Sequence, residues 1–423
     1  MSRPQLSDDR TGLHRRPTGP LRRWRAVLVL ASLLGLATAP TTALARPFVD
    51  RSPTSISDSA DTAISASDGG AGDFSSVDAS APSSSTTAAN PAAPAPTPAA
   101  ASPVTTVSAA SSSSTCTLGA KLVPTCGLLW GAAPAAFSSE ARATTLAAYE
   151  ADQGRPLDVY HGYHVNDQPF PNASERAIAL DPAKPRLLLL NWRPAMDMTW
   201  AQAAAGGADA RIDAEARVLK AFPAKVFVAI WAEGEHFVKP TAGSGMTATD
   251  YRDMSRHVIS RLKAGGATNA VFVQIFQGYP AYAVQPWWPS MYPGDDVIDW
   301  IACDSYNSGN ASGYGAGDFS LLVNRVKGSW QGWYHWATTQ HPTKPLMLAE
   351  WGIWYQSASP ARMATFYDQV RTQLPQYPRI KAMLYFNTAN HPKGTTAIDT
   401  NSASLAAYRR LTASIPRVDL SNR

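Results

Sequence analysis

Short apolar runs recur at regular intervals along residues 116–423 of the chain. Runs such as the one at 187–192 (LLLLNW) and the one at 225–231 (KVFVAIW) are continuous rather than alternating, which is typical of parallel strands buried on both faces. The pattern predicts strands at 128–131, 157–161, 186–192, 226–231, 271–275, 300–305, 345–350 and 382–386.

Amphipathic segments separate these runs and predict helices. Ser138-Ser139-Glu140 and Ser359-Pro360 are typical helix starts, and Gly265-Gly266 is a typical stop. Regular strand–helix alternation indicates a parallel α/β fold, and the region is long enough for a (β/α)8 TIM barrel, the fold class we predict. Periodicity alone leaves a closed barrel and an open sheet both possible. The helices are predicted at 139–153, 208–222, 249–265, 319–339, 360–374 and 403–411.

The start of the chain has the features of a secretory signal. Residues 1–45 combine an Arg-rich beginning, an apolar run at 26–37 and the small-x-small sequence Ala43-Leu44-Ala45. The apolar run is shorter than the roughly 20 residues of a membrane-spanning helix. We therefore expect a secreted protein, free or associated with the cell envelope, without membrane insertion after cleavage. Both Sec export and, from Arg22-Arg23, twin-arginine export stay open.

Residues 46–115 differ from the rest in composition. Ser, Ala, Thr and Pro dominate, and large apolar residues are scarce, so this segment cannot bury enough surface to offset the entropy of ordering. It is predicted to be a disordered linker between the signal and a single barrel domain at 116–423.

The distribution of charge along the chain bears on which partners it can bind. The net charge is +5, and residues 1–45 contain seven Arg and two Asp, which accounts for all of it. The remaining chain is near neutral, which argues against a nucleic-acid partner.

Cys116 and Cys126 are expected to form a small disulfide and Cys303 to be buried. We expect no metal, because no zinc-site spacing is present. We also expect no cofactor and a monomeric protein.

Two glutamates occupy the ends of predicted strands. Glu233 follows the fourth apolar run and Glu350 ends the seventh. The carboxyl ends of the strands form the active-site face of a (β/α)8 barrel. Glycoside hydrolysis needs two carboxyl groups on opposite sides of the scissile bond, one to protonate the leaving oxygen. Glu235 lies two residues after Glu233, so an extended strand would direct both to the cleft, and the acid could be either.

Aromatic residues surround these positions. Tyr306 closes the sixth run, where its hydroxyl could bond the nucleophile carboxylate. Tryptophan rings pack against the C–H faces of sugars. The candidate substrate-binding residues are Trp192, Trp287, Trp288, Trp351, Glu235 and His236.

Several ordered motifs resemble glycoside hydrolase family 26, the family of β-mannanases and related β-glycanases. The segment at 292–307 (YPGDDVIDWIACDSYN) is similar to the family's Pro-Gly-Asp…Val-Asp-Trp-x-x-x-Asp-x-Tyr-Asn. The segment at 344–352 (KPLMLAEWG) is similar to its nucleophile strand, and 206–220, 226–236 and 257–273 resemble its fourth and fifth strands.

The resemblance implies Glu350 as nucleophile, Tyr306 as its hydrogen-bonding partner and Glu233 as general acid/base. The chain departs from the family's His-Glu-x-Asn at the acid/base, where it has Ala232-Glu233-Gly234-Glu235, and Ala229 replaces a common Arg. The resemblance implies a retaining glycosidase for a β-linked poly- or oligosaccharide, of mannan type by default.

Two rival readings remain at this point. The altered acid/base segment also suits a pseudoenzyme that binds glycans without cleaving them. The barrel could also serve another reaction class, such as a deacetylase or a lyase, because one fold supports many chemistries.

Overall fold

The structure of the protein is a computed structural model that describes residues 116–136, 138–313 and 315–423. The predicted signal at 1–45 and linker at 46–115 lie outside these residues. Eight parallel strands form a closed barrel, which confirms the predicted fold. They are β2 (Leu129–Ala133), β3 (Val159–Val165), β4 (Leu187–Arg193), β5 (Val226–Ile230), β6 (Ala270–Phe276), β7 (Trp300–Asn307), β8 (Leu346–Ile353) and β9 (Ile380–Phe386).

The barrel closes where β2 pairs with β9. Five successive residues of each strand are partners, from Leu129 with Ala382 to Ala133 with Phe386. All eight predicted strands are present, with ends that differ by a few residues. The described part of the chain holds no helix long and apolar enough to span a membrane.

Helices cover the outside of the barrel. Three of them begin with a reciprocal capping box, at Asn172, Thr199 and Thr247, which satisfies backbone groups at the helix start. The helices are α1 (Arg142–Gln153), α2 (Ala173–Ala179), α3 (Trp200–Ala204), α4 (Asp209–Lys220), α5 (Ala248–Ala264), α6 (Pro280–Ala283), α7 (Phe319–Val323), α8 (Trp333–Gln340), α9 (Arg362–Gln373) and α10 (Ser402–Ser414).

One predicted helix is wrong in its continuity. The segment at 319–339 forms α7 and α8 with a turn between them. Gly328 and Gly332 have φ of 57° and 100° there, a left-handed backbone that cannot continue a helix. The short helices α2, α3 and α6 were not predicted, because four to seven residues carry little periodic signal.

The core has an inner and an outer layer. Inward side chains such as Phe227, Trp300 and Met347 fill the barrel, as is usual for this fold. Outward side chains of the same strands pack against the helices. The disulfide Cys116–Cys126 is present as predicted, beside the short strands β1 (Cys116–Thr117) and β10 (Val418–Asp419). Cys303 is buried, also as predicted.

A buried ion pair gives a test of this packing. Arg186 donates to both carboxylate oxygens of Glu150 at 2.8 Å, and both side chains are at most 5% exposed. Arg186→Met leaves the buried Glu150 charge without this partner, so we expect the free energy of unfolding to fall by about 3–5 kcal/mol. Urea unfolding followed by circular dichroism measures it.

The matched control is Arg410→Met. Arg410 pairs with Asp368 in the same bidentate way, but these side chains are 54% and 37% exposed. This change should cost about 0–1 kcal/mol. Equal losses for the two variants would contradict the burial argument.

Candidate functional site

Neighbouring strands of the barrel bring the predicted catalytic residues to one end. Glu350 lies in β8 and is paired in register with Asp304 of β7. Tyr306 lies two residues further along β7, and Glu233 follows the end of β5. The structure therefore places all three at the carboxyl-terminal mouth of the barrel.

Two tyrosines hold the carboxylate of Glu350. Tyr306 donates its hydroxyl to Oε2 at 2.5 Å, the bond predicted from the sequence. Tyr163 of β3 donates to Oε1 at 2.7 Å. Tyr163 was missed because the second strand was predicted to end at 161. The polar and aromatic residues that continue this run to Val165 were the available signal.

These bonds favour the ionised form of Glu350. Burial raises the pKa of Glu350, while the hydrogen bonds from Tyr306 and Tyr163 and the positive charge of Arg193 oppose that rise. Hydrogen bonds to a carboxylate stabilise its charge. Glu350 is thus arranged as a fixed, partly desolvated carboxylate.

The backbone at Glu233 departs from the strand. β5 ends at Ile230, and both Trp231 and Glu233 are left-handed, with φ of 53° and 55°. A short 3-10 turn, Gly234–Phe237, follows. Gly234 is required for close approach, because a Cβ there would lie 2.4 Å from the ring of Tyr251. The turn directs Glu233 to the mouth with its side chain 26% exposed.

Glu233 is arranged to keep its proton. Burial, then the charge of Glu350, then the charge of Glu235 raise the pKa of Glu233 to about 8. Like charges close together cannot both ionise easily, and a raised pKa is what a general acid at neutral pH needs. The mouth therefore contains one carboxyl group whose rise in pKa is opposed by two hydroxyl donors and one whose pKa is raised to about 8.

Glu235 does not share the direction of Glu233. The expectation that both face the cleft was wrong because it required an extended strand, and the chain turns here. Glu235 is 2% exposed, and its Oε1 accepts hydrogen bonds from the Gln277 backbone N–H at 3.0 Å and from Trp288 Nε1 at 3.3 Å. Burial raises the pKa of Glu235 to about 7.

His236 completes the turn beside the acid. Its Nε2 lies 3.9 Å from Glu233 Oε2 and 2.5 Å from Gln277 Nε2, and its Nδ1 is 3.1 Å from the hydroxyl of Tyr282. Partial burial lowers the pKa of His236, as do the charges of Lys393 and Arg193. A neutral imidazole thus lies next to Glu233. It comes from His236, three residues after Glu233, whereas the family pattern has its histidine directly before the acid, where this chain has Ala232.

Three of the four tryptophans predicted to contact sugar belong to the core. Trp192, Trp288 and Trp351 are at most 3% exposed. Successive residues of a strand point to opposite faces, so Trp192 in β4 and Trp351 directly after Glu350 turn toward the helices. Trp192 packs against Phe170, and Trp288 bonds Glu235. The sugar-contact prediction is corrected for these three.

Two partly exposed tryptophans lie close to the site. Trp287 is 6.3 Å from the ring of Tyr282, which bonds His236, so its predicted sugar contact stays a prediction. Trp354 stacks on Tyr306 with ring centroids 5.4 Å apart. Trp354 follows Glu350 closely in sequence and lies beside the tyrosine that donates to Glu350.

The described residues contain no cluster of three or more His, Cys, Asp or Glu side chains that could hold a metal ion. The acids at the mouth are instead distributed along the strands. Asp304 is buried next to Glu350, and burial, followed by the charges of Glu350 and Glu233, raises its pKa well above the ordinary value.

The closed (β/α)8 barrel thus carries two buried carboxyl groups, Glu233 and Glu350, at its mouth. No family model matches the chain. Endoglucanase H of Acetivibrio thermocellus is 24% identical over 279 residues, which cover 63% of this chain and 28% of that protein. The chain thus spans less than a third of the length of this curated relative.

Solved structures show the same likeness. A family 26 β-mannanase from Bacteroides ovatus is 17% identical, with a TM-score of 0.49 and coverage of 69% of this chain and 90% of that one. A modular family 26 endo-β-1,4-mannanase from Cellulomonas fimi is 16% identical, with a TM-score of 0.48 and coverage of 68% and 70%. Both of these solved structures are described as family 26 mannanases, the family that the sequence motifs resemble.

The burial of Glu235 predicts a pH-dependent stability. Its folded pKa of about 7 lies above the ordinary 4.5, so the folded state holds a proton that the unfolded state releases. Stability should therefore fall as pH rises from about 4.5 to about 7. Glu235→Gln removes this contribution, and the loss between pH 5 and pH 8 should shrink by about 2–4 kcal/mol.

Urea unfolding at the two pH values measures the effect. Glu140→Gln, at an exposed position, is the matched control. An unchanged loss of stability in Glu235→Gln would mean that this carboxyl group is not held protonated in the folded protein.

Proposed function

We propose that this protein is a secreted, retaining glycoside hydrolase that cleaves a β-linked polysaccharide or oligosaccharide of mannan type. The observation that carries the proposal is the asymmetry of the two carboxyl groups. Glu350 is bonded by two hydroxyl donors, and the pKa of Glu233 is raised to about 8. This pair matches the nucleophile and the acid of double displacement.

In the first step, a carboxylate oxygen of Glu350 attacks the anomeric carbon. The bond from that carbon to the leaving oxygen breaks, and Glu233 gives its proton to this oxygen. In the second step, Glu233 takes a proton from water, the water oxygen attacks the anomeric carbon, and the bond to Glu350 breaks. Retention requires carboxyl oxygens about 5–5.5 Å apart.

Neighbouring side chains support these roles. Tyr306 and Tyr163 orient Glu350 and stabilise its charge before attack. The ionised Glu350 raises the pKa of Glu233, and its neutralisation in the glycosyl-enzyme lowers that pKa again. Glu233 can therefore change from acid to base between the two steps.

Secretion is supported by the N-terminal sequence, and a carbohydrate partner by the names of the relatives. Mannan is favoured over glucan because two mannanases share the barrel with this chain, although endoglucanase H makes mixed-linkage glucan the first alternative to test. We also propose that the protein acts as a monomer, because the residues given roles in this mechanism all belong to one chain.

The proposal is tested by comparing Glu350→Ala and Glu233→Ala on mannan, xylan, mixed-linkage glucan and an aryl β-mannoside. Glu350→Ala should abolish turnover on every substrate. Glu233→Ala should lower the rate on mannan by about 10²–10⁴-fold, and by much less on the aryl mannoside, whose leaving group needs no proton. Product release and the anomeric configuration of the product are measured.

The two variants are compared with Glu140→Ala, an exposed carboxylate outside the proposed pair. Binding of one glycan without turnover by the unaltered protein would replace the hydrolase with a pseudoenzyme. Loss of rate on the aryl mannoside equal to that on mannan would remove Glu233 from the role of acid.

The pH profile gives a second test. Activity should decline above about pH 8 as Glu233 loses its proton. Tyr306→Phe removes a bond that opposes the rise in the Glu350 pKa, so the acid limb of the kcat/KM profile should move to higher pH. The rate should fall by about 10- to 100-fold.

Tyr334→Phe is the control. Its hydroxyl accepts from the Arg379 backbone N–H at 3.3 Å, directly before β9 and so at the opposite end of the barrel. If Tyr306→Phe lowered the rate without moving the acid limb, its hydroxyl would act on the substrate or the fold rather than on Glu350.

A further inference from the structure

Arg193 is a cation at the barrel mouth that acts on Glu350 and Glu233 from a distance but forms no close ion pair among the described residues. It ends β4, the strand that adjoins β5, and it is partly buried. Its guanidinium carbon lies 5.1 Å from the ring centroid of Phe237, in the turn that follows Glu233. Among the described residues, no carboxylate lies within 4.0 Å of Arg193.

A second cation lies in the loop that follows β9. Lys393 is exposed in a tight turn closed by reciprocal backbone hydrogen bonds between His391 and Gly394. His391 packs on Trp354 at 4.9 Å, and Trp354 stacks on Tyr306, the donor to Glu350. Within the described ranges, Lys393 also makes no ion pair.

Both cations act on the same acid, Glu233. Burial raises the pKa of Glu233, and the charges of Arg193 and Lys393 oppose that rise. Elsewhere at the mouth, Arg211 is held by two carboxylates, those of Asp167 and Asp197. Arg193 and Lys393, by contrast, are not held in ion pairs, so their charges remain available to a group bound in the cleft.

A partly buried guanidinium that forms no close ion pair is costly, and an anion bound in the cleft would offset that cost. A guanidinium binds carboxylate and sulfate oxygens with paired, charge-assisted hydrogen bonds. We propose that this site takes an anionic saccharide, whose carboxylate or sulfate group binds Arg193 and is assisted by Lys393. The inference rests on the proposed glycoside hydrolase function and names the substrate class for it.

The test uses substrates that differ only in charge. β-1,4-linked oligomannuronate is compared with the neutral manno-oligosaccharide obtained by reducing its carboxyl groups, and sulfated mannan with its desulfated form. kcat and KM are measured for the unaltered protein, Arg193→Gln, Arg193→Lys and Lys225→Gln. Lys225 is an exposed cation directly before β5, at the opposite end of the barrel, and serves as the control.

The unaltered protein should favour at least one anionic substrate over its neutral counterpart. That ratio of kcat/KM should fall by about 10- to 100-fold in Arg193→Gln through KM, less in Arg193→Lys, and not in Lys225→Gln. The preference should also weaken between 20 and 200 mM salt, roughly as screening predicts. The carboxylate and sulfate pairs show which anion is recognised.

Two outcomes overturn the inference. One is the absence of any preference for charge. The other is an equal loss on charged and neutral substrates in Arg193→Gln, which would mean that Arg193 acts on the catalytic carboxyl groups alone.

Binding separates this inference from the proposed function. Dissociation constants of the same saccharides are measured by calorimetry with the Glu350→Gln variant, alone and combined with Arg193→Gln. Arg193-dependent binding of the anion without turnover by the unaltered protein would overturn hydrolysis and keep anion recognition. Turnover of neutral mannan without charge preference would do the reverse.

Discussion

Closure of the sheet by the pairing of β2 with β9 is the constraint on which the site depends. It brings together strands that are more than 250 residues apart in sequence, as with Leu129 and Ala382. In a closed parallel barrel, every strand delivers its last residues to the same rim. Tyr163, Arg193, Tyr306 and Glu350 are neighbours for this reason, although each belongs to a different strand.

Burial at this rim then determines the chemistry. Glu233, Glu235, Asp304 and Glu350 all have raised pKa values, with burial as the largest cause in each case. Hydrogen bonds distinguish them, because only Glu350 receives two tyrosine hydroxyls at its carboxylate. The hydrogen-bond donors around each carboxyl group therefore influence whether it carries a charge. An ionised carboxyl group, such as Glu350, in turn raises the pKa of its neighbour Glu233.

The strands and the strand-end glutamates could be predicted because continuous apolar runs and terminal acids are local signals. The direction of the Glu235 side chain could not be predicted. It depends on the left-handed backbone of Trp231 and Glu233, and neither residue type favours that conformation. The buried tryptophans were misjudged because composition cannot tell an inward from an outward position at a strand end. The positions of Tyr163 and Arg193 relative to Glu350 could not be predicted either, because they depend on the register of the strands in the closed barrel.

The two carboxyl groups proposed for catalysis are held in the molecule in different ways. Glu350 sits within a paired strand, whereas Glu233 sits in a turn whose geometry depends on the contact between Gly234 and Tyr251. A substitution that disturbs this contact would therefore displace Glu233 without breaking a strand pairing, whereas Glu350 cannot be displaced unless the pairing of β7 with β8 changes as well.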